Sequence, residues 1–369
     1  MRDSRQRIYC FPFSLKKQIF RKGLLHCKGI GFFMINIALL GFGTVGSGVA
    51  EVLTENRELI KSRTGFDIHI KYILDLREFP DHPLGNRVVH DFNIILNDPE
   101  VQIVAEMMGG VHPAYDFSMA ALQAGKNVVT SNKAVVAEFG PELLCEARKK
   151  GIRYLFEASV GGGIPIIRSL TEQTAGNDIF EIDGILNGTT NYILTEMFKN
   201  GVSFADALAS AQALGYAEAD PSADVDGFDT CRKICILAAV AFGKLIPFNK
   251  VYTAGIRNIT AADIEAAEAQ GCSVKLIARA LKTEDGVYLK TEPMAIKKSN
   301  PLYAIEDVFN GILIRGNVSG DLMFFGKGAG KLPTAGAVVS DIIDIVSWGE
   351  AQPRQRLWTR DEAAYVSVL

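Results

Sequence analysis

The densest group of chemically useful side chains lies between Gly215 and Lys233. It contains Glu218 and Asp224 and then, four residues apart, Asp229 and Lys233. Residues at that spacing share one face of a helix, where a carboxylate beside a lysine can set the charge of the lysine for proton transfer. An exposed ion pair that stabilises the helix is the alternative. Glu218 and Asp224 stand in a loop bounded by glycine and proline, and their carboxylates suit a substrate ammonium group.

Another lysine, Lys133, follows the apolar run NVVT in the sequence TSNK. The run is typical of a β-strand, and parallel α/β sheets bind ligands at the carboxyl ends of their strands. A lysine at that place can polarise a substrate oxygen. The alternative is a serine or asparagine that caps a helix, followed by a solvated lysine.

A glycine fingerprint, GFGTVG, directly follows the apolar run INIALL. The first glycine permits a tight turn, the second lets the backbone approach a pyrophosphate, and the third lets a helix pack against the strand. The N-terminus of that helix would face the phosphates. The motif predicts dinucleotide binding, with a merely structural loop as the alternative, by Gly41, Phe42, Gly43, Thr44, Val45 and Gly46.

The end of the second predicted strand bears on the choice of cofactor. An acid there hydrogen-bonds the ribose hydroxyls of NAD, whereas an arginine accepts the 2′-phosphate of NADP. Asp75 and Arg77 both occur at that end, farther from the glycines than the usual ~20 residues. The sequence leaves NAD and NADP open, and two solvated charges are a third interpretation.

The elements that must position these side chains alternate between strands and helices. Strands are predicted at INIALL from Ile35, IHIKYIL, VQIVAEMM, NVVT and RYLFEA. Helices are predicted from the glycine loop to about Arg63, over PAYDFSMAALQAG, and from Ala134 to Lys150. This alternation implies a parallel sheet covered on both faces. We expect residues 34–157 to form a doubly wound α/β domain of the Rossmann type that binds NAD(P).

The pattern changes after residue 157. A strand at FEIDGILNG precedes helical segments near residues 189–200, 203–214 and 225–242. Asp285-Gly286 between apolar runs predicts a hairpin, and two more strands are expected in GILIRGNVSGDLMFFG. These elements indicate an α+β substrate-binding domain over residues 158–331.

The last region, residues 332–369, is predicted to form a C-terminal helix that returns to the first domain. It follows a second glycine-rich loop, from Gly326 to Lys331. Phe325 and Leu332 stand where a P-loop needs Gly and Ser or Thr, so a P-loop is excluded. We expect this loop near the cofactor or a subunit interface.

Composition and charge exclude several classes of protein. The 369 residues carry a formal net charge of −3, but residues 1–33 hold eight Lys or Arg and one acid. The remainder, with 31 basic and 41 acidic residues, carries about −10 and does not suit a nucleic-acid partner. No apolar run approaches the roughly 20 residues of a membrane span. Residues 1–33 are expected to be an extension without a structural role, upstream of a natural start at Met34.

The cysteines and histidines predict no side-chain metal site. The six cysteines include no CxxC pair, and the five histidines show no metal-ligand spacing. Cys231 and Cys235 have the spacing of one helical face. We expect reduced, buried thiols in a cytoplasmic protein.

Together these segments resemble the homoserine dehydrogenase family from Ile35 to about Trp348. The matching signatures are IALLGFGTVGSGV, TSNKA, FEASVGGGIPI, LNGTTNYI, ALGYAEADPSADVDGFDTCRK and GKGAGKLPTAGAVVSD. The fourth and fifth together are highly specific. The resemblance implies reversible, NAD(P)-linked interconversion of L-homoserine and L-aspartate 4-semialdehyde, within the synthesis of threonine, methionine and isoleucine.

The resemblance also implies roles for individual residues. Lys233 would give a proton to the aldehyde oxygen with Asp229 beside it, and Lys133 would touch both substrate and cofactor. Glu218, at the amino group, and Asp224 would hold the substrate. The cofactor would be lined by Gly43, Thr44, Val45, Gly109 and Gly330, with Arg77 open as above. A monovalent cation, usually sodium, would be bound largely through backbone carbonyls of Glu157, Val160, Gly162 and Ile164. Family members are commonly dimers, paired through the second domain.

One departure from the family concerns regulation. Many bacterial relatives continue into an ACT-type domain that senses threonine, whereas this chain stops at Leu369. We expect feedback by that route to be absent, either in a short form or because the coding sequence is truncated. Two other hypotheses keep the fold: a dehydrogenase of another amino acid or aldehyde, and a nucleotide-sensing module without turnover.

Overall fold

A computed structural model describes residues 33–348 and 357–367. The predicted N-terminal extension lies outside the described residues except for Phe33, with which the first strand begins. Among the described residues, no helix has both the length and the apolar character needed to cross a lipid bilayer.

The first sheet has six parallel strands. They are β1 (Phe33–Leu40), β2 (Phe66–Leu74), β3 (Val88–Val89), β4 (Val101–Glu106), β5 (Asn127–Thr130) and β6 (Tyr154–Leu155). Their order is β3-β2-β1-β4-β5-β6, so the winding reverses between β1 and β4. This order confirms the doubly wound fold and puts the crevice for a ligand at the carboxyl ends of β1 and β4.

Helices cover both faces of this sheet. The part of the chain that forms the first sheet is called the first region here, and the part that forms the other sheet is called the second region. The first region contributes α1 (Thr44–Glu55), α2 (Arg57–Thr64), α3 (Phe92–Leu96), α4 (Ala114–Gln123) and α5 (Lys133–Lys150). Successive residues of β1 point to opposite faces: Ala38 packs in the core under α4 and α5, and Leu39 packs in the core under α1. Burial on both faces explains why β1 is an almost uninterrupted apolar run.

The second region is built on a larger, mostly antiparallel sheet. The remaining strands are β7 (Ile179–Ile185), β8 (Lys244–Leu245), β9 (Tyr252–Thr253), β10 (Cys272–Lys282), β11 (Val287–Lys297), β12 (Phe309–Gly316), β13 (Gly320–Lys327), β14 (Thr359–Arg360) and β15 (Tyr365–Val366). The sheet runs β13-β12-β7-β10-β11-β15, with β9 also beside β11, while β8 and β14 pair separately. The predicted hairpin at Gly286 joins β10 to β11.

Of the seven further α-helices in the described residues, six accompany this second sheet, and the last packs against α1 and the first sheet. The seven are α6 (Ile166–Arg168), α7 (Gly188–Asn200), α8 (Phe204–Ala213), α9 (Ser222–Val225), α10 (Phe228–Phe242), α11 (Ala261–Ala269) and α12 (Lys331–Trp348). Helix α10 packs on one face of the sheet, where Ile234 shares a core with Ile182 and Ile312. Because α10 also borders α5, it is one of the elements through which the two regions contact each other.

The end of the chain returns to the first region in two ways. Helix α12 lies along α1, where an ion pair of 2.5 Å joins Lys331 Nζ to Glu51 Oε2. A short strap, residues 357–367, then inserts Trp358 against Phe156 and the glycine of α5 at position 140. The strap contributes β14 and β15, and so touches both regions.

Some predicted elements are shorter than expected. The first helix is interrupted at Asn56, and the strand predicted over RYLFEA ends at Leu155 and is followed by a tight turn. The helix predicted from residue 225 is broken at Gly227, whose φ of +84° is a left-handed conformation that favours glycine. Of the described cysteines, which are all free, three are buried as expected, but Cys145 is exposed.

Candidate active site

A cleft of about 830 Å³ opens between the two regions. Five segments line it: the start of α5, the start of α7, the loop before α9, the first turns of α10, and the glycine loop before α12. The side chains that they present include Lys133, Asn187, Thr189, Glu218, Asp224, Asp229 and Lys233. The structure thus brings together every catalytic and substrate-binding candidate from the sequence.

Asp229 and Lys233 form a buried ion pair one turn apart on α10. The Lys233 Nζ lies 2.7 Å from Asp229 Oδ2, and the two side chains are only 9% and 4% exposed. Lys233 Nζ also donates a hydrogen bond of 2.8 Å to the carbonyl of Leu186. The exposed-pair alternative is therefore wrong, because neither side chain is on the solvated surface of the helix.

Lys133 reaches the same carboxylate from the other region. It is the first residue of α5, and its Nζ lies 2.5 Å from Asp229 Oδ1. The preceding residue, Asn132, caps the helix by accepting from the amide of Val135. The helix cap expected in TSNK is present at Asn132, while Lys133 enters the cleft and pairs with Asp229 instead of being only a solvated side chain.

The two lysines determine the charge of Asp229. Burial by itself would raise the pKa of its carboxyl, but the ammonium groups of Lys233 and Lys133 outweigh that effect and hold the pKa well below its ordinary value. Burial would lower the pKa of Lys133, and the charge of Asp229 raises it instead. Asp229 is therefore a fixed negative charge, and Lys133 a fixed positive charge, across the neutral range.

Asp224 and Glu218 also line the cleft. Burial, and next the charge of Asp229, raise the pKa of Asp224 above its ordinary value. The Glu218 side chain is exposed, while its backbone carbonyl accepts from Gln212. Asp224 thus lies close to the buried Asp229–Lys233 pair, whose carboxylate raises its pKa and whose ammonium group lowers it.

Asn187 is a site residue that the sequence reasoning missed. Its Nδ2 donates to Asp224 Oδ1 at 2.7 Å and to Asp229 Oδ2 at 3.0 Å. Its Oδ1 accepts from the amide of Thr190 at 2.9 Å and so caps α7. An asparagine before a helical run could have been identified as an N-cap, but the sequence carries no signal for its contacts with two distant carboxylates.

The glycine loop after β1 is shaped as a dinucleotide-binding motif requires. Gly41 has a φ of +90°, and a Cβ at Gly46 would lie 2.1 Å from the Gly41 carbonyl oxygen, whereas Gly43 has nothing within 4 Å of its would-be Cβ. Phe42 is buried in the core, so only its backbone can face a ligand. Thr44 begins α1, whose N-terminus points to the crevice.

Asp75 and Arg77 are tied to each other and to this loop. Asp75 Oδ2 accepts from the Phe42 amide at 2.8 Å, and both of its oxygens accept from the Arg77 guanidinium at 3.0 Å. The hydrogen bonds from Arg77 lower the pKa of Asp75 to about 2 despite partial burial. Arg77 itself is 61% exposed and lies over the ring of Phe79. The interpretation of Asp75 and Arg77 as two solvated charges does not hold for Asp75, whose side chain is 9% exposed.

Other cofactor candidates lie around the same crevice. Gly109 follows β4 and has open space where a Cβ would be, and Gly330, with a φ of +120°, belongs to the loop that lines the cleft. Val45 lies in the first turn of α1. These positions surround the carboxyl ends of β1 and β4, where the sheet order predicts the ligand.

The cation candidates form a glycine-rich loop beside the cleft. Glu157 directs its carboxylate into the protein, where it accepts from the amides of Ile167 and Arg168 at 2.8 Å each. Its side chain therefore caps α6, and only its carbonyl remains as a candidate ligand. The part of the chain that the structure describes contains no group of three His, Cys, Asp or Glu side chains able to hold a metal. A cation in this loop would depend on the backbone carbonyls of Glu157, Val160, Gly162 and Ile164.

Family models match both regions of the chain. The model described as homoserine dehydrogenase, NAD binding domain, matches residues 41–157, and the model described as homoserine dehydrogenase matches residues 165–343. A homoserine dehydrogenase of Synechocystis sp. is 44% identical over 317 residues, which are 85% of this chain and 73% of the relative. That of Pseudomonas aeruginosa is 40% identical over 324 residues, 88% of this chain and 75% of the relative.

Solved structures agree with these matches. The crystal structure of a homoserine dehydrogenase from Thiobacillus denitrificans superposes with a TM-score of 0.85 at 38% identity, covering 90% of this chain and 80% of that one. A hyperthermophilic archaeal homoserine dehydrogenase in complex with NADPH superposes with a TM-score of 0.72 at 29% identity, covering 85% and 98%.

Proposed function

The chain belongs to the homoserine dehydrogenase family of NAD(P)-dependent oxidoreductases, and we propose that its cleft interconverts L-homoserine and L-aspartate 4-semialdehyde with Lys233 as the residue that exchanges the proton. The observation that carries this proposal is the buried Lys233–Asp229 pair, which Lys133 of the other region also contacts. Such an activity would serve the synthesis of threonine, methionine and isoleucine, in the cytoplasm.

Lys233 has one N–H left for the substrate. An ammonium group has three donors, and two of them point to Asp229 Oδ2 at 2.7 Å and to the Leu186 carbonyl at 2.8 Å. The third can bond to the substrate oxygen on carbon 4. In the reductive direction the aldehyde oxygen takes this proton from Lys233. A bound reduced nicotinamide would supply the hydride that carbon 4 needs. In the oxidative direction Lys233 first loses this proton to solvent, and its neutral amine then accepts the hydroxyl proton.

Lys133 and the carboxylates would orient the substrate. Lys133 approaches the same end of the cleft from the dinucleotide-binding region, so it can contact substrate and cofactor together. Glu218 and Asp224 suit the substrate ammonium group, Glu218 being the more exposed. The first turn of α7, at Gly188 and Thr189, also lines the cleft, and a helix N-terminus favours the α-carboxylate of the substrate.

The cofactor pocket favours NADP over NAD. Both oxygens of Asp75 already accept hydrogen bonds from Phe42 and Arg77, which leaves little capacity for ribose hydroxyls. The exposed guanidinium of Arg77 suits a 2′-phosphate. The glycine loop, with Gly43 open and α1 behind it, fits the pyrophosphate.

A monovalent cation, with sodium as the expected ion, is proposed for the carbonyl-lined loop from Glu157 to Ile164. Its proposed effect is to fix the loop that joins the two regions, since Glu157 also receives support from α12: its amide donates to Asp341 Oδ2 at 2.9 Å. Replacing sodium by tetramethylammonium at constant ionic strength is expected to lower both the thermal midpoint and the activity. Equal values in both salts would contradict the site.

A homodimer is proposed through the sheet face opposite α10. That face holds ion pairs between Arg279 and Asp183 at 2.7 Å and between Arg315 and Glu181 at 2.7 Å, and the exposed ring of Phe325 lies on the same face. Light scattering on the purified chain is expected to give twice the monomer mass, and Phe325→Glu is expected to give the monomer.

We propose the same division into domains as the sequence predicted, at residues 34–157, 158–331 and 332–369.

A substrate panel tests the proposed reaction. The wild-type chain is incubated with oxidised cofactor and, separately, L-homoserine, L-serine, L-threonine and L-glutamate, and the reduced nicotinamide is followed by absorbance. Reduction with homoserine alone, with trapping of the semialdehyde as a hydrazone, is the expected result. Reduction with another substrate would favour the alternative dehydrogenase, and cofactor binding with no reduction at all would favour the sensing module.

A further inference from the structure

Asn187 lies between two carboxylates that belong to different steps of the proposed reaction. Its side-chain nitrogen is 2.7 Å from Asp224 Oδ1 and 3.0 Å from Asp229 Oδ2, and the residue is 5% exposed. A primary amide has two N–H hydrogens, so each carboxylate can receive one of them. Asp224 is a proposed substrate ligand, whereas Asp229 is the partner of the proton-transferring lysine.

The orientation of this amide is fixed by the start of α7. Its Oδ1 accepts from the Thr190 amide at 2.9 Å and from the Thr190 hydroxyl at 3.1 Å. A flipped amide would place its oxygen against two carboxylates and its NH₂ against a backbone N–H. The N-cap therefore dictates that the donors face Asp224 and Asp229.

The residue before Asn187 completes the arrangement. The carbonyl of Leu186 accepts from Lys233 Nζ at 2.8 Å. Residues 186 and 187 thus contact both members of the Lys233–Asp229 pair, the lysine through a carbonyl and the aspartate through an amide. The position and direction of the pair depend on this one bend between β7 and α7.

We propose that Asn187 is a positioning residue that couples substrate holding to proton transfer, by donating one hydrogen bond to Asp224 and one to Asp229. The proposal rests on the proposed function of the cleft. It assigns Asn187 no contact with the reacting atoms: it acts by holding two like charges close together in the orientation that leaves the free N–H of Lys233 directed into the cleft.

The charges around Asp224 make the hydrogen bond that it accepts from Asn187 important. Asp229 and Lys233 face it from α10 and Lys133 from α5, while the Asn187 amide and the Thr189 hydroxyl face it from α7. Glu218 also lines the cleft. Burial and the neighbouring Asp229 already raise the pKa of Asp224, so loss of the amide donor is expected to raise it further.

The test uses substitutions that keep the helix cap. Asp and Ser cap helices about as well as Asn, so Asn187→Asp and Asn187→Ser both preserve α7. The ionised aspartate offers no donor and the serine offers one. Asn300→Asp is the matched control, since Asn300 caps a short turn far from the cleft through the amide of Leu302.

The expected result is a loss of kcat/KM for homoserine of roughly 100-fold in Asn187→Asp at neutral pH, as the removal of two hydrogen bonds to charged groups implies. Asn187→Ser is expected to lose less, and Asn300→Asp nothing. Cofactor affinity is expected to be unchanged in all three. As the pH falls from 8 to 5.5, the ratio of Asn187→Asp to wild-type activity is expected to rise, because the introduced carboxyl becomes protonated and regains one donor.

Each outcome decides the matter. A constant activity ratio at every pH, or a variant within threefold of the wild type, overturns the coupling role. If Asn187→Asp does not fold, Asn187→Ser with unchanged cofactor affinity and wild-type kcat/KM also overturns it. A wild type that binds cofactor without homoserine-dependent turnover would instead be a failure of the proposed function, and so the two failures are distinguishable.

Discussion

Replacing Asp229 by asparagine removes the negative charge between two ammonium groups while keeping the shape of the side chain. Asp229 Oδ1 is 2.5 Å from Lys133 Nζ and Oδ2 is 2.7 Å from Lys233 Nζ. Lys233 is 9% exposed and cannot regain water, whereas Lys133 is 43% exposed and can. Most of the cost is therefore expected at Lys233.

The expected loss of unfolding free energy follows from this difference in exposure between Lys233 and Lys133. Removing one partner of a buried ion pair costs about 3–5 kcal/mol, whereas an exposed pair contributes about 1 kcal/mol or less. We expect Asp229→Asn to lower the free energy of unfolding by about 3–5 kcal/mol. We also expect a fall in kcat of at least ~100-fold, the lower end of what a positioned general acid contributes.

A double-mutant cycle measures the interaction energy between Asp229 and Lys233 directly. Urea unfolding is compared for the wild type, Asp229→Asn, Lys233→Met and the double variant. The double variant is expected to be more stable than the sum of the single effects predicts, by about 2 kcal/mol or more, because no unpaired charge remains buried. The parallel cycle with Lys133→Met is the control and is expected to give about 1 kcal/mol or less. Additivity within about 0.5 kcal/mol in the Lys233 cycle would refute the reasoning.

The pH dependence of the same variant has a definite sign. The two lysines hold the pKa of Asp229 below its ordinary value of 3.8. A group with a lowered pKa in the folded state stabilises the protein above its unfolded pKa, and the stabilisation is lost as the pH falls below it. The stability difference between wild type and Asp229→Asn is therefore expected to be constant from pH 8 to 5 and to shrink below about pH 4. A difference that grows in acid would contradict the assignment.

Four further substitutions test the cofactor pocket and the strap. Arg77→Ser is expected to raise the KM for NADPH at least tenfold and leave that for NADH unchanged, and equal effects on both would exclude a role at the 2′-phosphate. Gly46→Ala places a Cβ 2.1 Å from a carbonyl oxygen and is expected to lose both stability and cofactor binding in fluorescence titrations. Gly43→Ala, its control with open space, is expected to lose only cofactor binding, so equal stability of the two would contradict the packing role. Gly140→Ala sets a Cβ 2.4 Å from the Trp358 ring and is expected to cost about 1–3 kcal/mol of unfolding free energy and to shift the tryptophan emission; an unchanged spectrum would show that the strap does not pack there.

The doubly wound domain could be predicted from the sequence because its signals are local. Each strand of the first sheet is a short apolar run, and the glycine fingerprint marks which strand comes first. The breaks were harder to predict. The helix expected over residues 225–242 is broken at Gly227, which adopts a left-handed conformation, and a single glycine in a helical run does not by itself predict such a break.

Part of the candidate site was also predictable from local spacing. Asp229 and Lys233 are four residues apart, so a helix alone brings them together. Lys133 meets Asp229 only because α5 and α10 pack together, and this contact crosses 96 positions of sequence. Asn187 reaches its two carboxylates only through the bend between β7 and α7. Such contacts depend on tertiary packing, and no local residue pattern predicts them.

The strap is the clearest feature that the sequence did not indicate. Its strands β14 and β15 have two residues each and pair with strands more than seventy positions away. Elements of this length have no detectable periodicity. The backbone carbonyls proposed as cation ligands also leave no signal in the sequence, because every residue type carries a carbonyl.

The most direct measurement follows reduced nicotinamide by absorbance during L-homoserine oxidation, for the wild type and Lys233→Ala, with cofactor affinity titrated for both. The expected result is homoserine-dependent reduction by the wild type and loss of most of it, with kcat down at least ~100-fold, in the variant, at equal cofactor affinity. A variant that binds cofactor and still turns homoserine over at the wild-type rate would contradict the assignment of proton transfer to Lys233.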